Sequence, residues 1–128
     1  MMEIKHSTGY IKVDLESFIN TAPIKDFKRL VQNIDELFRS VVDRYPYWCE
    51  IEESLVKNIN YIKGEKFNAL KYRYDNAKYY DRTISEKNKQ RIIKEVMNEL
   101  KKDDKILTKN EKMLKIIKDK KFIYEGLI

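Results

Sequence analysis

The sequence predicts an α-rich α+β fold, with an N-terminal β-hairpin followed by four or five helices packed around one core. Three observations predict it. Two short β-prone runs flank a glycine near the start, Glu3 to His6 and Tyr10 to Val13. Apolar residues then recur every three or four positions over most of the chain, the period of an amphipathic helix. The length of 128 residues suits one domain that buries its core without staples. The division expected is 1–20 for the hairpin and a short turn, 23–121 for a helical body, and 122–128 for a tail or edge strand.

In the hairpin, Ser7-Thr8-Gly9 reads as a three-residue loop. Ile11 and Val13 alternate with Tyr10 and Lys12, giving one packing face and one wet face. Asp14 is placed to cap a helical turn through Leu15, Phe18 and Ile19. Pro23 stands near the start of the clearest helix, whose stripe is Phe27, Leu30, Val31, Ile34, Leu37, Phe38, Val41 and Val42. That helix is expected to stop before Pro46, which then opens the next. The next stripe is Trp48, Ile51, Leu55, Ile59 and Ile62. It resumes with a shifted phase at Phe67, Leu70, Tyr74 and Ala77, so there are two helices here or one bent near Gly64. Ser85 caps a helix with Ile92, Ile93, Val96, Met97 and Leu100 inside. The charged run Lys101 to Lys105 reads as a break. Thr108 and Glu111 form a capping-box pattern for a last helix with Met113, Leu114, Ile116 and Ile117 inside. Lys121 to Tyr124 is β-prone and can add a strand to the hairpin, which is marginal alone.

Charged residues make up 38% of the chain, above the roughly one quarter usual for globular domains. Residues 1–62 carry 8 Lys/Arg and 10 Asp/Glu, net −2, while residues 63–128 carry 19 and 11, net +8. This asymmetry favours a polyanionic partner or an acidic protein patch. The single cysteine, Cys49, allows no internal disulfide, and neither a signal core nor a membrane span is apparent. A cytoplasmic protein without membrane attachment is expected.

The residue types needed for catalysis are sparse. His6 is the only histidine, so no histidine metal cluster can form, although it could act as a lone base near Ser7 or Asp14. Cys49 reads as a small apolar residue. Glu50, Glu52 and Glu53 read as acids favoured by a helix N-terminus. No glycine-rich phosphate loop is present. The expectation is a non-enzymatic binding protein, with no cofactor and no metal.

Lys71 to Arg82 interleaves four tyrosines with four basic residues. Cations pair with phosphates and aromatic faces stack on unpaired bases. Protein hot spots use the same residues. Lys71, Tyr72, Arg73, Lys78, Tyr79 and Arg82 are the candidate partner surface. Under a packing reading Tyr74, and with it Tyr80, go to the core, with Tyr72 and Tyr79 resting on neighbouring helices. Yet Tyr72 and Tyr79, seven apart and off the face of Leu70 and Tyr74, are the pair expected at the surface. A second set, Lys109, Lys112, Lys115 and Lys118, falls every third residue and suits phosphate contacts better than base readout. The stripe from Phe27 to Val42 could also serve a homodimer.

The opening Gly9-Tyr10-Ile11-Lys12-Val13-Asp14, followed by Phe18, resembles the start of small accessory proteins of phages and integrative elements in low-GC bacteria. It covers about twenty of 128 residues. Some small proteins of such elements inhibit host defences, anti-CRISPR proteins among them, by covering a nucleic-acid site or a hinge on a Cas nuclease or complex. The resemblance implies a stoichiometric inhibitor of a host defence nucleoprotein such as a Cas effector. The basic charge argues against DNA mimicry and for a grip on an acidic patch, guide RNA or target DNA. The alternative is a basic accessory or regulatory protein that binds nucleic acid directly.

Overall fold

A computed structural model describes residues 2–6 and 9–126. The element order is β1 (Met2–His6), β2 (Gly9–Val13), α1 (Leu15–Thr21), α2 (Ile24–Leu37), α3 (Val41–Tyr61), α4 (Phe67–Asp75) and α5 (Glu86–Glu125). π-helical turns at Ile62–Lys66 and Asn76–Tyr80 join and extend α3 and α4. The backbone is therefore helical without a break from residue 41 to residue 80. The chain forms two compact units, Met1–Asn58 with Lys109–Ile128, and Ile59–Thr108.

In the first unit, β1 and β2 pair antiparallel from Met2↔Val13 to His6↔Gly9. This register gives Gly9 to the second strand rather than to a three-residue loop. Ser7 and Thr8 lie outside the described residues, as does the side chain of His6. Gly9 has φ +141°, a conformation only glycine adopts readily. The packing face of the hairpin is carried by Met2 and Ile4, both buried, whereas Ile11 is 38% exposed. The backbone N–H of Lys5 donates to the Tyr47 hydroxyl on α3. The core joins the hairpin to α1 (Leu15, Ile19), α2 (Phe27, Leu30, Val31, Ile34), α3 (Trp48, Ile51, Leu55) and α5 (Met113, Ile117).

Asp14 caps α1 as expected, accepting from the Ser17 N–H. Pro23 stands immediately before α2, also as expected. Two expected boundaries move. The α2 helix stops at Leu37, and Phe38 is extended with its ring stacked on Tyr47 at 5.1 Å. The α3 helix begins at Val41, because Ser40 Oγ accepts the Val42 N–H in the manner of an N-cap. Pro46 thus lies inside α3, near its start, where its missing donor removes one early hydrogen bond. Arg44 ties the junction, donating to the carbonyls of Phe38 and Arg39 and to the Asp35 carboxylate.

The C-terminal strand is not formed: residues 121–124 continue α5. Lys121 and Tyr124 follow Ile117 by steps of four and three, a helical spacing that places them against α3. Lys121 pairs with Glu52 at 3.0 Å, and Tyr124 stacks on Tyr45 at 4.0 Å. Residues 127 and 128 of the expected tail lie outside the described residues. The expected break at Lys101 to Lys105 is also absent. Its residues include no glycine or proline, and lysine propagates a helix well. Thr108 therefore lies inside α5, donating to the Asp104 carbonyl instead of capping.

The second unit is a helical hairpin. Lys66 pairs with Asp103, and Arg73 with Glu95. Both pairs are centred near Ile84, so the helical arm ending at Tyr80 and the first half of α5 run antiparallel. Asp81 ends the first arm, accepting from the N–H and hydroxyl of Thr83 at 3.0 and 2.6 Å. These bonds hold its carboxyl below the usual value. Ser85 then caps α5 through the Asn88 N–H at 3.2 Å, as the sequence predicts.

Candidate binding surface

The first arm of the hairpin presents an inward row of Ile62, Lys66, Leu70, Tyr74 and Ala77, separated by helical steps of four and three. Ile62, Leu70 and Ala77 are buried, and Lys66 and Tyr74 half-buried. Phe67 is 46% exposed, which corrects its assignment to the buried stripe. The inward place belongs to its neighbour Lys66, whose ammonium donates to Asp103 Oδ1 at 2.6 Å. Asp103 is only 5% exposed and stands seven residues from buried Val96. Its Oδ2 accepts no hydrogen bond. Neither residue stands out in the sequence. The signal they leave there is a lysine four residues from both Ile62 and Leu70, and an aspartate one heptad from Val96.

The tyrosine segment closes the arm. Its last turn is π-helical, with the Asp81 N–H reaching back five residues to the Asn76 carbonyl at 2.7 Å. After buried Ala77, this wide turn leaves Lys78, Tyr79 and Tyr80 all outside. Tyr72, Tyr79 and Tyr80 are 72%, 61% and 74% exposed. Tyr72 and Tyr79 are thus the surface pair that their spacing predicts, and the core assignment of Tyr80 is corrected. Tyr79 and Tyr80 meet edge to face at 6.5 Å.

Lys78 organises this end of the segment. Its ammonium donates to the Tyr74 hydroxyl at 2.9 Å and lies 5.2 and 5.4 Å from the ring centres of Tyr74 and Tyr79. The bond to Tyr74, with the charge interaction of both tyrosines, raises its pKa above 10.5, so the cation persists at neutral pH. The structure thus brings Lys78, Tyr74, Tyr79 and Tyr80 together. Arg73 is instead tied to Glu95 at 3.1 Å, with both side chains about half exposed. Lys71 and Arg82 are exposed on the same segment.

The second candidate set lies in the other unit. Lys112, Lys115 and Lys118 are exposed on α5. Lys109 is not part of that row in function: it turns inward and donates to the Ala22 carbonyl at 2.8 Å. Burial lowers its pKa from 10.5. This removes Lys109 from the expected phosphate contacts, because its donor already closes the end of α1.

Cys49 is half-buried on α3, and its neighbouring thiol, with partial desolvation, raises the Tyr45 hydroxyl above its ordinary value of 10.0. Of the three glutamates singled out in the sequence, Glu52 is engaged by Lys121. Among the described residues no group of three or more His, Cys, Asp or Glu could hold a metal ion, and no helix is long and apolar enough to cross a membrane. The chain matches no family model, no curated protein and no solved structure.

Proposed function

We propose that the protein is a non-enzymatic binding protein that acts stoichiometrically, covering a surface of a host defence nucleoprotein with the segment 71–82. The observation that carries this reading is the outward placement of Tyr72, Tyr79 and Tyr80 beside Lys71, Lys78 and Arg82. Water-exposed tyrosines with adjacent cations supply contact area at low entropic cost and concentrate binding energy when buried by a partner. The short N-terminal resemblance to phage and integrative-element proteins is what suggests a defence complex.

The test is a pulldown of tagged protein from host lysate, with and without nuclease, followed by mass spectrometry. A discrete complex that survives nuclease, and is lost on Arg73→Ala with Tyr79→Ala, supports the reading. Both substituted side chains are at the surface, so this variant keeps its helical circular dichroism. A nuclease-resistant complex that the folded double variant still captures sinks the assignment of the segment.

A second reading, direct nucleic-acid binding, is favoured by the exposed Lys112, Lys115 and Lys118 and by the exposed rings of Tyr72, Tyr79 and Tyr80. Salt separates the two. Phosphate contacts weaken by about one logarithmic unit per contact for each tenfold rise in salt. A tyrosine-centred protein interface weakens far less.

A further inference from the structure

The helical hairpin of the second unit contains a cleft of about 300 Å³. Its apolar walls are Ile62, Phe67, Leu100 and Leu107, and Asp103 and Asp104 also line it. The volume lies at the small end of the range for ligand sites, and mostly apolar walls with a few polar groups are their usual make-up. Ile62 belongs to the π-helical turn Ile62–Lys66, a local widening often found at functional sites.

Asp103 is what gives the cleft a chemical preference. Its carboxylate is almost fully buried, and Lys66 satisfies Oδ1 alone. Oδ2 accepts nothing, although a carboxylate can take two or more donors on its pair of oxygens. Exposed Asp104 adds a second negative charge to the lining. The lining lysine, Lys63, already has an interaction of its own.

We propose that this cleft binds a small organic cation, an ammonium or amidinium group on a single-ring or branched aliphatic body. The N–H group donates to Asp103 Oδ2, and the apolar body lies against Ile62, Leu100 and Leu107. The carboxylate turns about its Cβ–Cγ bond, a soft torsion for aspartate, to meet the incoming donor. This site is independent of the tyrosine segment and of the function proposed for it.

The test is a titration of methyl-labelled protein with benzylammonium and, separately, with its neutral isostere benzyl alcohol. Benzylammonium is expected to shift the methyl signals of Ile62, Leu100 and Leu107 saturably. It should bind at least about tenfold more tightly than the alcohol, the ratio one charge-assisted hydrogen bond can supply. In Asp103→Asn that preference should vanish. If Asp103→Asn fails to fold, the comparison of the two probes on the unmodified protein decides alone. The proposal is overturned if these methyls do not move, if both probes bind the unmodified protein equally, or if folded Asp103→Asn keeps the preference.

Discussion

Replacing Lys66 with methionine leaves the Asp103 carboxylate buried and without the donor that Lys66 supplies to Oδ1. Removing one partner of a fully buried ion pair costs about 3–5 kcal/mol, because the remaining charge has lost its compensation. Here the Asp103 side chain is 7% exposed and that of Lys66 31%, so water relieves part of the loss. A cost of about 2–3 kcal/mol follows, which lowers the melting temperature by on the order of 10 °C in a chain of this size. Lys66→Met together with Asp103→Leu removes both charges and the unpaired Oδ2. That double variant should return to within about 1 kcal/mol of the unmodified protein, as buried pairs replaced by apolar residues often do. The assay is urea unfolding followed by circular dichroism on all four members of the double-mutant cycle. A cost below about 0.5 kcal/mol for Lys66→Met, within surface-substitution scatter, would refute the reasoning. So would a double variant as unstable as the sum of the two singles.

Other consequences follow from single positions. Gly9→Ala should cost about 1–2 kcal/mol by forcing a side chain to φ +141° although no atom lies within 4 Å of the new Cβ. Faster amide exchange in β1 would report it. Asn110 is fully buried with neither amide atom hydrogen-bonded. Asn110→Leu should therefore stabilise the fold by about 1–3 kcal/mol, seen as a higher urea midpoint. Glu52 raises the pKa of Lys121 above its ordinary 10.5. The pair's contribution should be fully present below pH 10.5 and decline as pH rises through the folded value. Lys121→Met should flatten that part of the stability–pH curve.

Where local chemistry alone decides, the sequence was readable. Asp14 and Ser85 cap the helices they were expected to cap, and the α2 stripe from Phe27 to Ile34 is buried as its period requires. The errors arose where a residue's local preference was overruled by a distant partner. Lys121 to Tyr124 has the β-propensity of a strand, but Glu52 and Tyr45 hold it in a helix. Lys101 to Lys105 reads as a polar break, yet one of its aspartates is the inward partner of Lys66. Pro46 marks a boundary by its own geometry, whereas Ser40 and Arg44 fix the boundary elsewhere. In the candidate surface, the density of tyrosines and cations could be read directly. The outward place of Tyr72 and Tyr79 could be read from their spacing, but that of Tyr80 could not, because the π-helical turn at Asn76–Tyr80 alters the helical period.

The Lys66–Asp103 pair also acts as an index mark for the hairpin. Sliding one arm past the other by a turn would set Asp103 against Ile62 or Leu70, stranding a charge among apolar side chains. Within segment 71–82 only Arg73, through Glu95, pairs across the arms in the same register. The exposed Tyr72, Tyr79, Tyr80 and Arg82 can change without disturbing how the arms align. A saturation scan of folding should find positions 66 and 103 intolerant as a matched pair, and positions 72, 79, 80 and 82 permissive.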